Sequence, residues 1–333
     1  MVAAVLRHCR APQQRRTHHL KFGHHLIFVC FVHFAVNQSP VSSDYQIVQL
    51  ANGARTLFSS AYGEKMHPGL GPQAEAELLC VRQLKICERL QNHPGEFVIW
   101  DVGLGAAANA LTAIRLIRES LKGKPARLRL VSFDLTTAAA AFALEHGAEL
   151  GYVAGYESAL AELVQNHSVK FGDDLLQVGW RLVLGDFPAR LVSAREDARP
   201  TQNELVPPHA ILFDPYSPKK NPAMWTVPLF ADLFRRLDPQ RPCALANYTR
   251  STMARVTMLL GGFFVGVGHP SGLKEETTVA ANRIDLLDEP LDRNWLERAK
   301  RSHSAEPLSG PVYRQAPLSP ETRERLRQHP QFR

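Results

Sequence analysis

The sequence predicts an open, doubly wound α/β sheet, and three observations carry that expectation. Four apolar stretches rich in β-branched and aromatic residues each close on a carboxylate, at Asp101, Asp134, Asp186 and Asp214. Strands end this way at the carboxyl edge of such a sheet, where ligands bind. A glycine turn, Gly103-Leu104-Gly105, follows the first of these stretches and leads into a helical run, which suits a tight approach of backbone to ligand beside a helix N-terminus. Two short apolar runs at 263–267 and 276–280 come last and read as an antiparallel pair closing one edge.

A chain of 333 residues, 45% hydrophobic and 21% charged, has room for one large domain with appendages. Its net charge of +7 is unevenly placed: residues 1–40 hold five basic side chains and no acid, and residues 297–333 hold eight basic and four acidic. The section between is close to neutral, so a nucleic-acid footprint must come from local patches or from the two ends. Five cysteines without CxxC or Cys/His spacing give no metal site and point to a reduced, cytoplasmic protein.

Residues 1–40 read as a disordered leader. They hold six of the fourteen histidines, and their apolar run at 26–32 is far too short to span a bilayer. No small-x-small cleavage site follows cleanly, which argues against a signal peptide. Residues 41–96 read as an extension made of a hairpin and a helix. The hairpin turns at Asn52-Gly53, and the helix rests on Leu78, Leu79, Val81, Leu84, Ile86 and Leu90. Between them, Tyr62-Gly-Glu-Lys-Met-His67 reads either as a solvated loop or as a lid over the cofactor end of a site.

Residues 97–292 form the main domain. The pattern G-x-G-x-x-A at 103–108 also fits a dinucleotide fingerprint, but Asp101, two places before the first glycine, suits a ligand bearing an ammonium. A purely structural strand-turn-helix stays open. A strand at 128–134 delivers Asp134, whose carboxylate can accept both hydroxyls of a ribose or cap the alanine-rich helix at 138–150. After a helix at 156–168, a strand at 181–186 places Asp186 beside the base of an adenosine ligand or at a helix cap. Residues 195–208 are a polar connection. The strand from Ile211 then stops at Asp214 and breaks into three X-Pro pairs, Asp214-Pro215, Ser217-Pro218 and Asn221-Pro222. Prolines fix φ, so they hold Asp214, Tyr216 and Ser217 rigidly; the same pairs also start turns and helices. Asn221-Pro222 is expected to open a helix reaching about Arg236. A fifth strand at 243–249 and a helix ending at Gly261-Gly262 follow. Residues 293–333 read as a polar tail with one short helix at 294–301.

Three segments follow recognisable patterns. Asp214-Pro-Tyr-Ser-Pro-Lys-Lys-Asn-Pro-Ala-Met-Trp225 is close to D-x-F-x-P-x-x-N-P-x-x-W, with Tyr216 at the phenylalanine, Tyr62-Gly-Glu-Lys-Met-His67 fits Y-G-E-x-x-H, and Asp101-Val-Gly-Leu-Gly-Ala-Ala-Ala-Asn109 is close to E-x-G-F-G-x-G-x-N. In these motifs, spread over about 45–282, the chain resembles the MnmC-like methyltransferases, whose sheet is the Rossmann-like one of class I enzymes. The resemblance implies S-adenosyl-L-methionine as cofactor and the 5-aminomethyl group of a tRNA wobble uridine as methyl acceptor. It implies cofactor binding by Tyr62, Glu64, Asp101, Gly103, Gly105, Asn109, Asp134 and Asp186. Asp214 would aim the amine and take its proton, with Tyr216 lining the pocket and Ser217, Lys219, Lys220 and Arg250 on the substrate. Arg235, Arg236 and Arg255 are further candidates for tRNA phosphates, unless all these cations are ordinary solvated helix faces. Ala107 stands at the family's third glycine and Pro215 where the bifunctional members carry glycine. No flavin-binding module follows residue 300, so the expectation is a stand-alone methyltransferase whose oxidoreductase partner would be a separate chain; neither membrane nor metal is expected. Three other readings compete: an N-methyltransferase of a small-molecule or protein amine, an NAD(P) oxidoreductase, and an RNA-binding protein with a degenerate cofactor fold.

Overall fold

The computed structural model describes residues 44–193 and 205–333; the expected leader and most of the polar connection at 195–208 lie outside the described residues. The first described element is the expected hairpin, β1 (Tyr45–Gln49) antiparallel to β2 (Arg55–Ser59), to which a two-residue strand, β3 (Glu64–Lys65), is added. Gly53, at φ 84°, makes the turn.

The helix expected at 78–90 is instead three pieces. A turn at Pro72–Glu75 runs into a π-helix at Ala76–Arg82, and a helix at Ile86–Gln91 starts after Lys85, whose φ is 51°. The mixed spacing of its leucines fits no single 3.6-residue face, and the wide turn absorbs the mismatch: the Gln83 N–H donates to the Leu78 carbonyl five residues back, at 3.2 Å.

The central sheet has eight strands: β4 (Glu96–Val102), β5 (Ala126–Asp134), β6 (Ser168–Gly172), β7 (Leu176–Leu184), β8 (Ala210–Phe213), β9 (Ala244–Asn247), β10 (Phe264–Gly268) and β11 (Thr277–Ala281). Their spatial order is β10-β11-β9-β8-β4-β5-β7-β6. β4, β5, β7, β8 and β9 are parallel, while β11, β10 and β6 pair antiparallel. The order runs outward from β4 in both directions, which opens a crevice at its carboxyl end. The closing pair at 263–267 and 276–280 is thus present, as β10 and β11. β6 was not expected. It and β7 form a hairpin in which Leu176, Val178, Trp180 and Leu182 alternate inward, a period of two that marks a half-buried strand.

β4 explains why helices cover both faces. Phe97 and Ile99 enter one core while Val98, Trp100 and Val102 enter the other, so the strand reads as a continuous apolar run. The second core also corrects the C-terminal expectation. Residues 293–333 carry helices at Arg293–Lys300 and Pro320–Arg327, and Leu308, Leu318, Leu326 and Phe332 are buried in that core. The edge of β10 is sealed by Gln331, whose amide receives the Val265 N–H at 2.8 Å and donates to the Val265 carbonyl at 2.7 Å, leaving less open edge for another chain to pair with. A few well-spaced apolar residues sufficed to anchor a segment whose composition is polar.

Asn221-Pro222 opens only a 3-10 turn, Pro222–Trp225. The helix proper is Val227–Arg236, capped by Thr226, whose hydroxyl accepts from the Leu229 N–H at 3.3 Å.

Candidate active site

At the carboxyl ends of β4, β5, β7 and β8 the chain encloses a cavity of about 550 Å³, within the range of about 300–1,000 Å³ typical of small-molecule sites. Asp134, Asp186 and Asp214 line it; Asp101 does not. Asp101 is still inside the paired part of β4, opposite Ser132 and Leu212, and fully buried. Its Oδ2 accepts from the Ser132 hydroxyl at 2.7 Å, which in turn receives the Trp180 indole N–H at 2.9 Å. Burial pushes this carboxyl up to about 7.

The glycine turn forms the floor. Gly103 has φ 94° and Gly105 φ 51°, and a Cβ at Gly103 would stand 2.7 Å from the Asp214 carbonyl oxygen. The loops after β4 and β8 therefore touch at a point only glycine allows. Ala107 also has a left-handed backbone, φ 63°. Asp134 accepts from the Gly105 N–H at 2.9 Å and from the N–H groups of Leu135 and Thr136 at 2.7 and 3.3 Å. These three donors oppose the burial that raises its pKa. Asp186 is exposed and caps the following helix by accepting from the Ala189 N–H at 3.0 Å.

The turn after β8 is clamped from the N-terminal sheet. Glu64 accepts from both the N–H and the hydroxyl of Ser217, at 3.2 and 2.5 Å. Tyr62 stacks on Tyr216 with ring centroids 3.7 Å apart and 13° between planes. Tyr62-to-His67 is thus a wall of the cavity, and Glu64, expected on the cofactor, holds the Pro-rich turn.

Asp214 lies at the centre. Its carboxylate, a quarter exposed into the cavity, accepts from the Asn109 amide at 3.0 Å and stands 3.7 Å from His67 Nε2. Asn109 also receives the Tyr248 hydroxyl at 2.8 Å, so its amide serves Asp214 and Tyr248. Burial holds Asp214 well above the usual carboxylate range, and the nearby Glu75 and Asp101 add to the shift against the Asn109 bond. The Lys274 ammonium, donating to the Tyr248 carbonyl at 2.6 Å, enters from the loop between β10 and β11 and is lowered chiefly by burial.

Residues 154–283 match the model of a family described as S-adenosyl-L-methionine-dependent methyltransferase. The bifunctional tRNA 5-methylaminomethyl-2-thiouridine biosynthesis protein MnmC of Aeromonas hydrophila is 27% identical over 74% of this chain and 37% of its own length. The protein of the same name from Ectopseudomonas mendocina is 30% identical over 64% of this chain and 32% of its own. The fold of MnmC2 from Aquifex aeolicus superposes with a TM-score of 0.60, at 24% identity over 80% of this chain and 79% of that one. In sequence and in fold, the chain is MnmC-like. It spans about a third of the length of the curated relatives it matches.

The cavity fits the cofactor that the family description names. The Gly103 cradle, the Asp134 carboxylate at the end of β5 and the volume together suit an adenosyl group with its amino-acid tail. Lys219, Lys220 and Arg250 are exposed and lie outside the cavity lining. Arg255 is no surface cation: it is buried, bonded to Glu276, Thr278 and the Thr277 carbonyl. No sequence spacing marks Glu75, Tyr248 or Lys274, and His67 is legible only as the last letter of the Y-G-E-x-x-H pattern.

Proposed function

We propose that this MnmC-like chain is an S-adenosyl-L-methionine-dependent N-methyltransferase acting on the 5-aminomethyl group of a tRNA wobble uridine. The observation that carries the reading is Asp214, fixed by Asn109 in the lining of the glycine-floored cavity. The bound cofactor supplies an electrophilic methyl group on a sulfonium. What remains for the chain is to deliver a neutral amine in line, through positioning and exclusion of water.

An alkylammonium near the ordinary lysine value of about 10 is mostly charged at neutral pH. Asp214 accepts one of its protons and hydrogen-bonds the amine that results. Its own raised pKa suits it to hold that proton. Tyr216, stacked on Tyr62, forms the flat wall against which a pyrimidine rests. Lys219, Lys220 and Arg250 stand outside the cavity lining, where a phosphate backbone would run. The similarity to proteins of tRNA 5-methylaminomethyl-2-thiouridine biosynthesis supports a tRNA partner, and five cysteines without metal-ligand spacing agree with a cytoplasmic setting. Among the described residues no helix is long and apolar enough to cross a membrane.

The test is incubation of the protein with methyl-labelled cofactor and bulk tRNA carrying 5-aminomethyluridines, followed by nucleoside analysis. Label is expected on the methylaminomethyl nucleoside. Label confined to free small amines, or the absence of cofactor binding in calorimetry, would overturn the reading.

A further inference from the structure

Behind Asp214 the cavity wall holds a second ionisable layer that methyl transfer itself does not call on. His67 lies between two carboxylates, with Nε2 3.7 Å from Asp214 Oδ2 and Nδ1 3.8 Å from Glu75 Oε2. Its side chain is 7% exposed and that of Glu75 is 2%. His67 has φ 50°, a left-handed conformation costly for a residue with a Cβ and frequent where a side chain must be aimed. Its ring meets the Tyr248 ring edge-on at 5.3 Å. Glu75 Oε1 is fixed by the N–H groups of Gly69 and Leu70 at 2.5 and 2.8 Å, which leaves Oε2 to face the imidazole. Asp214, Glu75 and Tyr248 are the ionisable groups around the ring, with Lys274 next to the two acids and Cys80 beyond Tyr248.

We propose that His67 is a positioning and relay residue that moves the amine proton from Asp214 to Glu75 without becoming charged. This rests on the methyl-transfer reading above. Before the amine arrives, Asp214 and Glu75 are carboxylates and His67 carries its proton on Nδ1. The substrate ammonium gives a proton to Asp214, breaking an N–H bond and forming an O–H bond. Asp214 then passes that proton to Nε2 while the Nδ1 proton moves to Glu75 Oε2. Asp214 is again a carboxylate, His67 is the other neutral tautomer, Glu75 is a carboxylic acid, and the amine is neutral with its lone pair free for the methyl group.

The surroundings favour this route over an imidazolium. Burial lowers His67 to about 4, so the ring stays neutral at physiological pH. Burial also raises Glu75, which makes it the better resting place for a proton. A tautomer exchange needs no net charge on the ring, and the separations of 3.7 and 3.8 Å lie just beyond hydrogen-bond reach, from which catalytic contacts commonly tighten when substrate binds.

The test compares Glu75→Gln and His67→Gln with the unaltered protein. The probe is an anticodon stem-loop RNA bearing 5-aminomethyluridine, with single-turnover rates followed from about pH 6 to about pH 10. Both variants are expected to lose on the order of 10²-fold in rate near neutrality, the scale of general acid–base catalysis, with cofactor Kd by calorimetry unchanged. The deficit should shrink as pH approaches about 10, where the amine arrives already neutral. A deficit of equal size at every pH, or no deficit, overturns the relay. Should the variants fold poorly, nitrogen-15 spectra of His67 in the unaltered protein with S-adenosylhomocysteine and the RNA decide: a neutral ring changing tautomer supports the relay, and a charged ring overturns it. If the unaltered protein binds cofactor but labels no RNA amine, the methyl-transfer reading itself fails and the relay with it, a result separable from loss in the variants alone.

Discussion

Asn109 donates its amide to Asp214 Oδ2 at 3.0 Å while its carbonyl receives the Tyr248 hydroxyl at 2.8 Å. One side chain thereby orients Asp214, and its donated bond opposes the burial that raises this carboxyl. Asn109→Leu keeps the volume and removes both bonds. Because a hydrogen bond to a charged group contributes about 1.5–3 kcal/mol, kcat should fall about 10- to 100-fold. Cofactor Kd from calorimetry should stay nearly unchanged. A loss of cofactor affinity in step with kcat would place Asn109 on the cofactor instead.

Gly103 makes the contact between the two loops that build the floor. Gly103→Ala forces a Cβ to within 2.7 Å of the Asp214 carbonyl at a φ of 94°. Strain of this kind costs about 1–3 kcal/mol per site, and relieving it displaces Asp214. Thermal unfolding should show the loss of stability, and methyl transfer should fall more steeply than stability does. A variant with normal activity would mean that the turn is not part of the floor.

The Glu64–Ser217 clamp ties the small N-terminal sheet to the Pro-rich turn. Glu64→Gln, Ser217→Ala and the double variant form a cycle in stability. Groups that share hydrogen bonds couple by about 0.5–3 kcal/mol, so the double variant should lose less than the two single losses together. Strict additivity would show that the clamp is not formed in solution.

Legibility in the sequence tracked how local each signal was. The strand ends at Asp134, Asp186 and Asp214 and the glycine turn were readable because an apolar run, an acid and a glycine are neighbours in the chain. Asp101 follows the same local pattern, yet its side chain falls inside the paired sheet, since one residue decides whether a strand end is still laddered. Tyr248 and Lys274 reach the cavity from a loop after β9 and a loop before β11, and Glu75 stands behind His67 from a turn at Pro72–Glu75. Their proximity is a product of the fold and leaves no spacing to read. The short helix expected at 294–301 is present as Arg293–Lys300, but the helix at Pro320–Arg327 and the burial of the segment are not legible, because a polar composition hides the few leucines that anchor it.

Asp101 predicts a pH dependence with a definite sign. Its carboxyl lies at about 7 folded against an ordinary 3.8, chiefly through burial. A group raised in the folded state contributes stability that is fully present below the unfolded pKa and is lost as pH rises through the folded one. Its contribution to the apo protein should therefore decline between about pH 4 and pH 7, by roughly 1.4 kcal/mol per unit of pKa shift at most. Asp101→Asn should flatten that part of the curve in denaturant titrations. An unchanged slope would show that the carboxyl is not raised.

Arg255 and the exposed cations make opposite predictions about RNA. Arg255 is buried and bonded to the partly exposed Glu276 at 3.0 Å and to the buried Thr278 hydroxyl and Thr277 carbonyl, and leaving buried polar groups without their partner costs about 1–3 kcal/mol. Arg255→Ala should lower thermal stability, and below its melting temperature should leave RNA affinity as it was. Lys219, Lys220 and Arg250 are exposed. Each of these that meets a phosphate should, when changed to alanine, weaken tRNA binding across sequences and reduce the slope of log affinity against log salt by about 1. Fluorescence binding titrations at several salt concentrations measure this directly. A triple alanine variant with an unaltered slope would move the RNA path to another face of the protein.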